Sequence, residues 1–232
     1  MFRRHLIFNV FYTLILILNI SALVFNNHLS RIISMPLIGI SLILYLLIKT
    51  KIQENFHKLI FAGLVLTLAS DIQMLFSTSA GFYFLTALIA TLISYSFYAL
   101  AFSIDFKKNI KQTRRLGNMF FLGLAFIGIC FYQTAKDNLR EFALPVGLYS
   151  IAITTMIILS AYRYKRVNRL SFKLILTASV AFLISDLSNG YYYFIEAKNI
   201  MLFFYLISYL IAQYLIVMGA IERKSIDTHQ SP

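Results

Sequence analysis

The sequence predicts an all-α polytopic membrane protein with eight transmembrane helices, on three observations. Apolar residues make up 59% of the 232 residues and charged residues only 13%. A soluble domain averages roughly 25% charged residues, so these are too few to cover a water-facing surface. Apolar runs long enough to cross a hydrocarbon core of roughly 30 Å recur along the chain, and the mean hydropathy is +0.76. Within such a core the backbone must pair inside its own segment, which makes the runs helices. Short alternating segments, the mark of a membrane barrel, are missing.

The spans fall at 6–25, 32–48, 58–76, 83–104, 116–134, 142–162, 172–194 and 200–221. The first follows Arg3 and Arg4 and ends in Val24-Phe25-Asn26-Asn27. It is too long for a signal h-region and has no small-residue cleavage site, so it reads as a retained helix. Its Asn9 and Asn19 suit hydrogen bonds between helices. Short loops leave room for one membrane domain, 1–222, with a polar, frayed cytoplasmic tail at 223–232.

Of the 21 Lys and Arg residues, all but Arg31, Lys136, Arg140 and Lys198 fall on one side of this arrangement. The positive-inside rule makes that side cytoplasmic, with both termini there. The expected location is a cell (inner) membrane of bacterial type. The same loop placement accounts for the net charge of +12 without nucleic acid. Cys130, the single cysteine, excludes an internal disulfide framework and reads as a packing residue. His5, His28, His57 and His229 lack ligand spacing, so no metal and no cofactor is expected.

The third and seventh helices look like copies. Lys58 to Ser70-Asp71 aligns without gaps on Lys173 to Ser185-Asp186. The helices that follow share Leu92-Ile93-Ser94-Tyr95 and Leu206-Ile207-Ser208-Tyr209, and Met35-Pro36 and Leu144-Pro145 stand near the starts of the second and sixth. These matches predict a 4+4 parallel internal repeat, with halves of about 1–110 and 111–222 and a pseudo-twofold axis along the membrane normal.

Asp71 and Asp186 are the acids that fall at membrane depth. Each lies thirteen residues beyond its lysine, roughly 20 Å into the bilayer. An ionised carboxylate at the bilayer centre costs about 2.5–3.5 kcal/mol on insertion scales, so such a residue faces an interior and marks function by default. Two carboxyls in one dry pocket titrate apart, one keeping its proton while the other ionises. A general acid and a general base then come from one residue type. Cation binding or transport, and a purely structural role, use the same two residues. Ser70, Ser185, Gln73, Ser188 and Asn189 stand close enough in sequence to support the pair. Tyr95, Tyr98, Tyr149, Tyr209 and Gln213 fall on helices expected to surround it. Tyr191, Tyr192 and Tyr193 fit an interfacial aromatic belt.

The order and spacing of several motifs resemble the YhhN-like integral membrane proteins, which include the lysoplasmalogenases. The resemblance spans roughly residues 30 to 222. It rests on Ser70-Asp71, on Leu183-Ile184-Ser185-Asp186, on Leu144-Pro145-Val146 with Tyr149 and Met156, and on Tyr209 to Gln213 and Tyr214. It implies an eight-helix hydrolase that cleaves the vinyl ether bond of a lysophospholipid to a fatty aldehyde and a glycerophospho-base. Asp71 and Asp186 match the family's paired aspartates. Two positions depart: Tyr95 stands where the family has a fourth-helix His, and Met35 where a Lys commonly precedes the second-helix proline.

Overall fold

The computed structural model describes residues 2–77, 81–106 and 111–226, with residues 2, 3 and 111–117 described by backbone alone. Lys107, Lys108 and His229, the tail beyond Ile226, and the side chains of Arg3, Lys111, Arg114 and Arg115 therefore lie outside what is described. The helices are α1 (Leu6–Val24), α2 (His28–Thr50), α3 (Asn55–Leu75), α4 (Phe82–Ile104), α5 (Lys111–Leu139), α6 (Ala143–Tyr162), α7 (Arg169–Phe194) and α8 (Asn199–Ile221). Short 3-10 turns at Phe2–His5 and Arg140–Phe142 precede α1 and α6. Among the described residues there is no strand beyond a single bridge, Val167 with Ser225.

Seven helical stretches are long and apolar enough to cross a membrane, so the chain has the architecture of a polytopic membrane protein. Six of these are single helices. The seventh, Asn118–Tyr162, runs 45 residues through α5, the turn and α6. Straight, it would reach roughly 68 Å, more than twice a hydrocarbon core. Arg140 breaks it with a left-handed backbone, φ 43°. Phe142, just before α6, packs on Phe84 at the start of α4 with ring centres 5.6 Å apart. Arg163, just after α6, bonds Asp105 just after α4 at 2.8 Å. Helix α6 therefore runs parallel to α4, and α5 runs the opposite way, from Leu124 in the main core to Leu139 in the cluster around Phe84.

Local sequence explains the breaks. Asn27 caps α2 by accepting from the Ser30 amide at 3.1 Å, the usual Asn role at a helix start. Lys51 closes that helix in the left-handed conformation, φ 50°. Pro36 lies well inside α2, whereas Pro145 sits in the first turn of α6, where a missing N–H costs nothing. The two prolines do not occupy equivalent places, because α2 begins at His28 rather than near residue 32.

Leu42, Leu46, Ile60, Tyr95, Phe102 and Phe182, each at most 1% exposed, form part of one continuous core. The outside is also apolar: Ile7 is 88% exposed and Leu144 73%. Single exposed apolar residues are common on soluble proteins, but whole helix faces like these suit lipid. Polar side chains inside pair between helices, as expected for Asn9 and Asn19. Tyr214 donates to Asn9 Oδ1 at 2.7 Å, and Asn19 donates to Ser34 Oγ at 2.8 Å. Cys130 is exposed, not packed. Its neighbour Phe131 takes the inward direction on α5, and one residue around a helix turns about 100°.

At one end of the bundle the described charges converge. Asp105 accepts from Arg163 Nε at 2.8 Å and from Arg223 Nη2 at 2.6 Å, and Arg223 reaches Glu54 at 2.5 Å. The Arg163 guanidinium lies over Phe56 and Phe102. Burial pulls it below its ordinary range while Asp105 opposes that fall. His5 bonds to Tyr45 and to Glu222. The segment after α8, expected to fray, is held as far as Ile226, whose amide donates to Arg166 O at 3.0 Å. Its polar sequence gives no hint of these partners in the loop after α6.

Candidate functional site

Asp71 and Asp186 lie toward the other end of the bundle, near the C-termini of α3 and α7. Ser70 fixes the α3 turn against α4, donating to Ala87 O at 2.9 Å and pairing with Thr91 Oγ1 at 2.7 Å. Asp71 is 4% exposed. It accepts from Tyr209 on Oδ1 at 2.5 Å and from Gln213 on Oδ2 at 3.4 Å. Tyr209 and Gln213 sit four residues apart on α8, so one helix face presents both donors.

Asp186 is half-buried. Tyr95 of α4 donates to its Oδ2 at 2.9 Å. Tyr149 of α6 stands on the same cavity wall, its ring centre 5.5 Å from that of Tyr95. The two aspartates are thus held crosswise. The α3 aspartate takes its tyrosine from α8, and the α7 aspartate takes its tyrosine from α4.

Both carboxyls line one open-mouthed cavity of about 120 Å³. Ser70, Thr91, Tyr149, Asn189 and Tyr209 supply polar wall, and Leu88, Phe131, Val146, Leu187 and Phe194 supply apolar wall. Asn189 Oδ1 is buried with no partner. Ser70, Tyr95, Tyr149, Tyr209 and Gln213 are therefore all brought to the aspartates or their cavity.

Ser185 and Tyr98 are not. Ser185 is buried with its hydroxyl unpartnered and lies off the cavity wall. Tyr98 packs against Gly63, where an added Cβ would stand 2.3 Å from its ring. Gln73 keeps a buried, unpartnered carbonyl oxygen, and Ser188 bonds back to Ile184 O at 2.8 Å. The sequence reading missed Thr91, Tyr205 and Phe131. Helical period would have found two of them, since Thr91 and Tyr205 stand one turn before Tyr95 and Tyr209. Among the described residues no group of three or more His, Cys, Asp or Glu is placed to hold a metal ion.

A family model decides the relationship: that of the YhhN family matches residues 27–220. The chain belongs to the YhhN family. The matched stretch takes in α2 through all but the last residue of α8, and with them both aspartates and every cavity-lining residue. Helix α1 lies before it. No curated protein and no solved structure matches this YhhN-family chain.

Proposed function

We propose that this chain is a membrane-embedded hydrolase of lysoplasmalogen-type ether lipids, with Asp71 and Asp186 as its acid–base pair. The observation that carries the reading is that two carboxyls from distant helices line one cavity, each bonded by a tyrosine from the other half of the chain. We read eight crossings, since the 45-residue stretch doubles back at Arg140. The crosswise bonding supports a parallel 4+4 arrangement. It pairs the tyrosines of the two Leu-Ile-Ser-Tyr motifs with the two Ser-Asp motifs.

Hydrolysis of a vinyl ether begins with a proton delivered to the enol ether carbon, which leaves an oxocarbenium-like cation. Water adds to that cation, and the resulting hemiacetal collapses to a fatty aldehyde and the glycerophospho-base. In this reading one carboxyl of the pair, kept protonated in the dry pocket, is the acid. Its ionised partner stabilises the cation and orients water. The described charged end, rich in arginine, faces the cytoplasm by the positive-inside rule. The cavity then lies in the outer half of the membrane, with both termini inside.

The test is aldehyde release from lysoplasmalogen by the purified protein, beside folded Asp71→Asn and Asp186→Asn variants. Each substitution is expected to lower kcat by about 10²-fold or more. Unchanged activity in both would sink the pair mechanism. No turnover of any vinyl ether, with cation-dependent stabilisation lost in the same variants, would point to ion binding or transport.

A further inference from the structure

Helix α5 turns one stripe toward the bundle. Leu124, Ala135 and Leu139 are buried, and Phe131 lines the cavity. Position 128 belongs to the same stripe, because steps of four, three, four and four residues keep to one helix face. Gly128 alone breaks it. It is exposed, and a Cβ placed there would meet nothing within 4 Å. The face that elsewhere packs on the bundle stands open at this one turn.

The next member of the stripe closes what lies behind. The Phe131 ring rests on α7 at Gly190, where an added Cβ would come within 2.7 Å of its Cζ. Gly190 is one turn beyond Asp186, and both line the cavity. Opening, ring, cavity and carboxyl therefore follow one another. The frame is fixed on both sides: Leu124 is buried in the main core, and Asn138 donates to Phe194 O at 2.7 Å. The far side of α5, which faces lipid, is apolar, with Leu122 and Phe126 each 69% exposed.

We propose that this opening is a lateral doorway for a single hydrocarbon chain, with Gly128 as the gap in the wall and Phe131 as the side chain that closes it over the cavity. A chain arriving from the bilayer comes from the lipid-facing side on this route, so it enters without passing through water. A gap one residue wide takes one chain and not two, which selects single-chain lipids over diacyl lipids. The inference rests on the lipid-hydrolase reading for its substrate, but not for the route.

The sequence contains no tryptophan, so Phe131→Trp places a lone indole in the doorway. A lysophosphatidylcholine brominated along its chain is expected to quench it saturably. Unbrominated lysolipid should reverse the quenching, and diacyl phosphatidylcholine should not. Phe126→Trp, at a position 69% exposed on the lipid side, should be quenched without saturation. Adding Gly128→Leu puts a side chain into the gap, where its Cβ meets nothing within 4 Å. It should abolish the saturable quenching and cut kcat/KM for long-chain lysoplasmalogen at least tenfold, with Tm unchanged. Saturable quenching that survives Gly128→Leu, or equal competition by diacyl lipid, overturns the doorway. Absence of hydrolysis alongside Gly128-dependent quenching overturns the hydrolase reading and leaves the doorway standing.

Discussion

Tyr209 of α8 donates its hydroxyl to Asp71 of α3 at 2.5 Å, and the equivalent motif tyrosine, Tyr95, does the same for Asp186 at 2.9 Å. The two bonds are not alike in their surroundings. Asp71 is buried, whereas Asp186, on the same cavity, is only half-buried and has Tyr149 beside it. Tyr209→Phe is therefore expected to lower stability more than Tyr95→Phe. A buried acceptor that loses its donor costs about 1–3 kcal/mol, and more if charged. Thermal unfolding of the two variants in one detergent checks the order. A larger loss in Tyr95→Phe would contradict it.

Asp105→Ala should be among the most damaging changes at the charged end. It strips Arg163, which is fully buried, of its carboxylate. Breaking a buried pair from one side costs about 3–5 kcal/mol. The double variant Asp105→Ala/Arg163→Met should recover part of the loss, because no unpaired charge then remains. Unfolding midpoints of the two variants decide the matter.

Two glycines give opposite expectations. At Gly63 an added Cβ would stand 2.3 Å from the Tyr98 ring, and at Gly123 it would meet nothing within 4 Å. Gly63→Ala should cost about 1–3 kcal/mol through overpacking. Gly123→Ala should be neutral or stabilise by up to about 1 kcal/mol through helix propensity. Equal effects on Tm would show that α3 and α4 are less closely apposed than described.

The loop between α7 and α8 carries an exposed pair, Glu196 with Lys198 at 2.7 Å. The hydrogen bond from Lys198 lowers the Glu196 pKa. A depressed carboxyl contributes its stability above its ordinary pKa and loses it as pH falls through the folded value. Lys198→Ala should raise the Glu196 pKa, with little change in Tm because an exposed pair contributes little. Carboxyl titration by NMR reads the shift, and an unmoved pKa would contradict the pairing.

Much of this was legible in the sequence, for physical reasons. The places of the helices followed from apolar runs, because the bilayer sets their length. Not all their bounds did: α2 starts at His28 and α5 runs from Lys111 to Leu139, beyond the apolar runs at 32–48 and 116–134. Asp71 and Asp186 stood out because charge at membrane depth is costly. Which residues would hold them was legible only as a group of tyrosines. The crosswise choice of Tyr209 for Asp71 depends on α8 reaching α3, and no local pattern encodes that approach. Tyr98 shares its helix and chemistry with Tyr95, yet it spends its ring on Gly63, three residues around the helix. The ion cluster at Asp105 was hidden for another reason. Arg163 and Arg223 read as ordinary loop cations until tertiary contact buries them.

The crosswise bonding also bears on how the site can be assembled. A fragment ending after α4 holds Asp71 with no Tyr209, and a fragment beginning at α5 holds Asp186 with no Tyr95. Neither piece contains a finished half-site, so each should be inert alone. Expressed together as separate chains, they contain every group the cavity needs, and function should return only in membranes that hold both.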